Sequence, residues 1–313
     1  MAGDKMIVNS PLVSVCMVTY NHEKWIGQAI EGVLMQKTSF TVELVIGEDC
    51  STDKTAETLR LYQVKYPHRI KIVFNEVNKG LAKNFSQLLN KCSGKYIAIC
   101  EGDDFWTDPD KLAKQVKFLE TSDGYVICSH NCNRFYEADN SVSTNTRHNN
   151  NFSYNQRQHL ANWNTQPLTC LFRNIFKDYS FFDRNNMFCD VIIFYELLKF
   201  GSGYFMNDNM ATFRVHQHAL SSGLSEWQWQ RNHVLMYDHL FKYNPEDKLL
   251  QKISANHCLI MYVNSLKKST ISTNEFKPLP EYYKRTPVIA NKVFTSLVRL
   301  PYYFLKYSLI NKK

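Results

Sequence analysis

No run of 18 apolar residues occurs anywhere in the 313-residue chain. A membrane-crossing helix needs about 20 of them, so none is expected. No Gly-x-Gly-x-x-Gly follows the first apolar run, and the Gly-x-x-x-x-Gly-Lys-Ser/Thr pattern is missing throughout. A dinucleotide dehydrogenase and a P-loop nucleotidase are both disfavoured by that. Cys128-x-His130-x-Cys132 has the look of half a zinc site, but no second half follows at a suitable spacing. There is no internal repeat, and no signal peptide opens the chain. The nine cysteines, an odd number with several inside apolar stretches, read as reduced thiols. A cytoplasmic setting is expected, and the sequons at Asn84 and Asn151 then carry no meaning.

What is present is enough for a core: 44% of residues are hydrophobic, and a charged share of 21% suits a soluble protein. The aromatic share of 14% fits stacking on sugars or nucleobases and fits a plain core equally well. The net charge of +8 is uneven, with the excess gathered near the C-terminus.

The chain is organised around Tyr96-Ile-Ala-Ile-Cys-Glu-Gly-Asp-Asp-Phe-Trp-Thr-Asp-Pro-Asp110. Its first five residues are β-formers, apolar on both faces, as in a buried central strand. Three carboxylates follow around one glycine: Glu101, Asp103 and Asp104. Asp108-Pro109 reads as an N-cap with proline at the first helical position, and Leu112, Val116 and Leu119 form the stripe of the helix. The carboxylates thus stand on the loop at the carboxyl end of a strand, where open α/β sheets bind ligands. Carboxylates held together repel, and a hard divalent cation carrying substrate phosphates would relieve them. The spacing does not fit an EF-hand.

Strand and helix alternate from the start. Leu12–Val18, Val42–Ile46 and Ile70–Phe74 are the other strands expected in this half. Helices follow through Trp25 to Leu34, Lys54 to Lys65 and Leu81 to Leu88. Short connections between alternating elements imply a largely parallel sheet flanked by helices, with right-handed crossovers. Thr19-Tyr-Asn-His-Glu23, Gly47-Glu-Asp-Cys-Ser-Thr-Asp53 and the acidic loop each follow a strand, so all three lie on one edge. Tyr125–Ser129 and Thr169–Arg173 are further strands. Residues 131–164, rich in Asn, Gln, Ser and His, read as an extended segment of the kind that forms lids. Asp190 opens an apolar helix over Val191–Phe200, stopped by Gly201 and Gly203, and beyond Glu226 the pattern is helical.

Several positions carry two readings. Asp53 reads as a helix cap, and Asp49 reads equally as structure or as an acceptor for a base N–H. Asp190 is an N-cap or a general base at a ligand edge. Arg214, His216 and His218 share one face of a strand, where they would bind phosphate or metal or simply face solvent. In the tail, Lys292, Arg299, Lys306 and Lys313 recur every seven residues among aromatic and aliphatic positions, and Pro301 breaks the run. Such a segment, 291–313, either lies on an anionic membrane surface or packs on the domain.

Three stretches together resemble family 2 glycosyltransferases: Val13-Ser-Val-Cys-Met-Val-Thr-Tyr-Asn-His, Val45-Ile-Gly-Glu-Asp-Cys-Ser-Thr-Asp-Lys-Thr and Cys100-Glu-Gly-Asp-Asp-Phe-Trp-Thr-Asp-Pro-Asp-Lys-Leu. The likeness is strong over residues 10–130, weaker over 165–220 and absent from the tail. It implies a glycosyltransferase-A fold of Rossmann-like α/β type, with a catalytic domain over 1–225 (nucleotide half 10–130, acceptor half 131–225) and a mainly helical region over 226–313. It also implies an inverting transfer from a nucleotide sugar, UDP-linked, to a glycan or lipid-linked acceptor in cell-surface polysaccharide synthesis. Carried over, Thr19, Tyr20 and Glu23 line the nucleotide pocket and Asp49 binds the base. Asp103 and Asp104 hold ribose and diphosphate through Mg2+ or Mn2+, Arg214 and His216 stand near the diphosphate, and Asp190 is the catalytic base. Glu101 departs from the family's frequent Asp, Cys50 from its usual Gly, and Cys189 precedes Asp190 where Gly or an acid is common. The Gln-x-x-Arg-Trp signature of processive synthases is missing, so one sugar per encounter is expected. The competing expectation is a non-catalytic nucleotide-sugar-binding or scaffold protein of a glycan-assembly complex.

Overall fold

The computed structural model describes residues 10–144, 148–182, 188–219, 222–250 and 252–253. The basic tail lies outside them. Contacts divide the chain into two compact units, Met1–Ser222 and Gly223–Lys313.

The first unit opens as the alternation predicts, with β1 (Val13–Thr19), α1 (Ile26–Leu34), β2 (Val42–Glu48), α2 (Thr55–Lys65), β3 (Ile70–Phe74), α3 (Leu81–Leu89) and β4 (Tyr96–Ile99). Every residue of β1, β2 and β4 is buried, as strands covered on both faces require. They pair in parallel in the order β3-β2-β1-β4. Ile26, Ala29, Ile30 and Val33 recur at helical spacing and bury one face of α1 in the core. Parallel register brings the carboxyl ends of these strands level. The loops beyond them are joined by backbone bonds from Asp49 N to Thr19 O (3.1 Å) and from Gly102 N to Val18 O (3.0 Å).

The chain continues through β5 (Phe105–Trp106), α4 (Lys111–Thr121), β6 (Tyr125–Tyr136), β7 (Ser141–Ser143), β8 (Phe152–Tyr154), α5 (Gln156–Asn162), β9 (Leu171–Arg173), α6 (Cys189–Leu197) and β10 (Ser202–Val215). The whole sheet runs β3-β2-β1-β4-β9-β6-β10-β5, with β7 beside β6 and β8 beside β10. This half is mixed. β9 is antiparallel to both β4 and β6, β10 is parallel to β6, and β5 is antiparallel to β10. β5 therefore carries the chain from the acidic loop straight onto the last strand. At that crossing α1 approaches so closely that a Cβ on Gly32 would stand 2.9 Å from the Trp106 backbone nitrogen.

Three local expectations change. Residues 131–164 are not one irregular segment, because β6 runs on to Tyr136 and β7, β8 and α5 follow. The polar side chains that hide this strand are satisfied inside the sheet: Asn131 Nδ2 donates to His148 O (2.9 Å) and to Asn207 Oδ1 (3.1 Å). Asp108 is not a helix cap. α4 starts at Lys111, and Asp108 instead accepts from Asp110 N (2.8 Å) and Lys114 Nζ (2.7 Å) in the turn before it. Asp190 is not a cap either. Phe188 holds that position without a side-chain bond, and Asp190 lies inside the first turn of α6.

The second unit is described through α7 (Glu226–Tyr243), which the sequence expects beyond Glu226. Ser225 and Gln228 close a capping box at its start, each bonding the other's backbone N–H. No helix of the described residues is long and apolar enough to cross a membrane.

Candidate active site

The two loops after β1 and β2 are stitched to each other. Asn21 N donates to Ser51 Oγ (2.9 Å), Thr52 N to Asn21 Oδ1 (2.8 Å) and His22 N to Thr55 Oγ1 (2.8 Å). Glu23 N donates to Asp53 Oδ2 (3.0 Å), and Lys54 N returns a bond to Glu23 Oε2 (2.9 Å). Glu23 and Asp53 are thus cross-braces of the rim, and Asp53 also ties the start of α2 through Thr55 N (2.9 Å). Tyr20 is 42% exposed above this frame, with its ring free of the core. Asp49 is buried and immobilised: Asn75 Nδ2 and Lys79 N reach Oδ1 at 2.9 and 2.8 Å, and Gly80 N reaches Oδ2 at 2.8 Å. One lone-pair direction of Oδ2 is left for a further donor.

The acidic loop is folded tightly beneath them. A Cβ on Gly102 would stand 2.8 Å from Thr19 Oγ1 and 2.9 Å from His22 Nδ1, so glycine is what lets the loop close on β1. Asp103 Oδ2 lies 3.1 Å from His216 Nε2 and 3.7 Å from His22 Nε2. Burial pushes the Asp103 carboxyl upward, but the His216 hydrogen bond and the charge of His22 outweigh it and hold the group below the usual range. The other two acids move the opposite way. Burial, with repulsion from Asp103 and Asp190, pushes Glu101 up to about 8. Burial, with repulsion from Asp103 and Glu101, raises Asp104 well above its ordinary value. Asp104 Oδ1 accepts from Arg214 N at 2.8 Å, while its buried Oδ2 has no partner among the described residues; nor have Thr19 Oγ1, His22 Nδ1 and His216 Nδ1.

The register of β5 against β10 brings the last two groups in. Ala211 pairs with Trp106 and Thr212 with Phe105, so the chain beyond Thr212 runs back along the acidic loop. Arg214 Nε donates to Asp103 O (2.8 Å), Nη1 to Glu137 Oε1 (3.2 Å) and Nη2 to Gln28 Oε1 (2.6 Å). Its guanidinium lies 5.2 Å from the Phe105 ring centre and 5.3 Å from that of Phe135. Arg214 therefore holds the acidic loop through the Asp103 carbonyl. His218 is exposed and takes no part in the loop.

Asp190 stands at the start of α6, with backbone N–H groups of its own turn lowering its pKa. Burial prevails and pushes it up to about 6. Its charge is the smaller of the two that repel Glu101, after that of Asp103. Spacing in the sequence finds the acids but not the groups that orient them. Trp25, Gln28, His22 and Glu137 all meet here, and Glu137 comes from the stretch that shows no periodicity at all.

Among the described residues no three His, Cys, Asp or Glu side chains form a ready cation cage. The acids nevertheless suit Mg2+ or Mn2+: Glu101, Asp103 and Asp104 offer carboxylate oxygens, one of them buried and unpartnered among the described residues, on a loop whose acids resist ionising together. Such an ion completes its sphere with substrate oxygens instead of a protein cage.

A family model described as "Glycosyl transferase family 2" matches residues 14–180. EpsE of Bacillus subtilis, provisionally named a glycosyltransferase, is 39% identical over 119 residues, 38% of this chain and 42% of that protein. TuaG of the same organism, provisionally named a teichuronic acid biosynthesis glycosyltransferase, is 38% identical over 109 residues, 35% of this chain and 42% of that protein. A Mycobacterium tuberculosis protein without a functional name is 39% identical over 125 residues, 40% of this chain and 36% of its own length. The chain thus matches well under half the length of these relatives. Among solved structures, S. aureus TarS 1-349 in complex with UDP-GlcNAc superposes with a TM-score of 0.60 at 17% identity, over 85% of this chain and 77% of that one. The Pyrobaculum calidifontis mannosyltransferase PcManGT, in complex with GDP-Man and Mn2+, gives 0.54 at 13% identity, over 98% and 89%. Both share the fold.

Proposed function

Because the chain belongs to glycosyltransferase family 2, we propose that it moves one sugar per encounter from a UDP-sugar to a hydroxyl of a glycan or lipid-linked glycan, with inversion at the anomeric carbon. The observation that carries this reading is a crowded acidic loop at the end of β4, with a half-buried carboxylate, Asp190, pushed up to about 6 and near enough to repel Glu101. The TarS complexes with UDP and UDP-GlcNAc favour uridine, and the PcManGT complex favours a divalent ion. The name of TuaG favours a cell-surface polysaccharide as the product.

Asp49 accepts the base N–H with the lone-pair direction of Oδ2 that Gly80 N leaves free, and Tyr20 covers the base. Thr19 and the Glu23 brace shape the pocket wall. Asp103 and Asp104 would hold the Mg2+ or Mn2+, with Glu101 beside them and His216 setting the Asp103 carboxylate. A bound ion supplies positive charge to the leaving diphosphate. Asp190 takes the proton of the acceptor hydroxyl as that oxygen bonds to the anomeric carbon and the bond to the diphosphate breaks. A base with a pKa of about 6 is ionised at neutral pH and still basic enough to share a proton in the transition state.

Donor hydrolysis by the pure protein tests the reading. Native protein should release UDP from a UDP-sugar in the presence of Mn2+. Asp190→Asn should lose that turnover and keep donor affinity. Retained turnover in the variant removes Asp190 from the mechanism. Donor binding with no turnover in the native protein favours a binding or scaffold role.

A further inference from the structure

A closed ring of contacts begins and ends at Asp103. Its carboxylate Oδ2 meets His216 Nε2 at 3.1 Å. The His216 ring packs on the Trp25 indole with centroids 4.0 Å apart. Trp25 Nε1 donates to Glu137 Oε1. The same oxygen accepts from Arg214 Nη1 at 3.2 Å, and Arg214 Nε returns to Asp103 through its carbonyl oxygen at 2.8 Å. One arm of the ring thus fixes the side chain of Asp103 and the other fixes its backbone. Glu137 is where the arms join.

Trp25, Arg214 and His216 are each 5% exposed, and the Glu137 side chain is 30% exposed. Glu137 is the carboxylate that pairs with Arg214 among the described residues. A buried guanidinium deprived of its carboxylate seeks other partners, and this one already donates to the acidic loop through Asp103 O. The Glu137 backbone is held independently, its N–H donating to Val215 O at 3.1 Å. Losing the side chain therefore loosens the ring more than the strand.

We infer that Glu137 is a positioning residue of the cation site: by accepting from Trp25 and Arg214 together it sets the orientation in which Asp103 meets the ion. The inference rests on the reading of Asp103 as a cation ligand. Glu137 itself touches neither ion nor donor. Groups that bond a metal ligand directly commonly change affinity about 10- to 100-fold when removed, and Glu137 holds such a group on each arm, Arg214 directly and His216 by way of Trp25.

Calorimetric titration of Mn2+ into UDP-saturated protein tests this, alongside titration of UDP without metal. Glu137→Ala should weaken Mn2+ about tenfold or more while leaving metal-free UDP affinity near native. Glu137→Gln keeps an acceptor oxygen and should recover most of the loss. Trp25→Phe removes one donor and should weaken Mn2+ in the same direction by less, and it carries the test if Glu137→Ala folds poorly. Native Mn2+ affinity in Glu137→Ala, or a Gln variant as weak as the Ala variant, overturns the inference. Absence of metal-linked UDP binding in the native protein overturns the underlying reading instead, and the inference with it.

Discussion

Asp190, the proposed base, has a pH signature of its own. A half-buried carboxylate pushed up to about 6 binds protons more tightly folded than unfolded. Its ionisation therefore costs stability as pH rises from the ordinary carboxylate value towards 6, and the cost is complete above it. Asp190→Asn should raise stability at pH 7.5 by about 1–2 kcal/mol, measured by urea unfolding, and should be nearly neutral at pH 4. Native turnover should fall as pH drops below about 6. Lys111 is the opposite case, a buried amine whose pKa moves down. Its Nζ donates to Gln115 Oε1 (2.8 Å) and lies 4.0 Å from the Trp106 ring centre, and burial lowers its pKa to about 8. The folded state holds its proton less tightly than the unfolded state, so this group's contribution to stability rises between pH 8 and the ordinary lysine value. Lys111→Met should stabilise the protein at pH 7 by about 1–3 kcal/mol, read as a higher urea midpoint, and a lower midpoint would contradict this account.

At the level of elements, the meeting of α1 with β5 is the contact that closes the site. Gly32→Ala puts a methyl group against the Trp106 backbone and should cost about 1–3 kcal/mol in urea unfolding, together with weaker donor binding. A stability loss without any change in binding would separate this packing from the site. The same elements show what could be read without a structure. β1, β2 and β4 are legible because a strand buried on both faces is apolar throughout. Their shared edge follows from alternation alone, so the three polar loops could be brought together on paper. The second half of β6 could not, because Asn131 and Asn133 pair with groups of β10 instead of alternating with apolar residues. β5 is two residues long and leaves no periodic trace. With β5 hidden, the register that puts Arg214 behind Asp103 was hidden too. Glu137 looks like any polar residue in a polar stretch until β6 is seen to end beside β10.

For the whole molecule, the account joins a parallel run of strands, β3-β2-β1-β4, to a mixed run in which β5 pairs β10 just after the acidic loop. The first half supplies Asp49 and the acidic loop, and the second supplies Asp190, Arg214, His216 and Glu137. The fold is shared with TarS and PcManGT at 17% and 13% identity, so the chemistry of this chain must be established on its own residues. The most direct measurement is calorimetric titration of UDP, with and without Mn2+, on the native protein and on Asp103→Asn. The account predicts binding that Mn2+ strengthens about tenfold or more in the native protein and does not strengthen in the variant. UDP binding that is equal with and without Mn2+ in both proteins would contradict it.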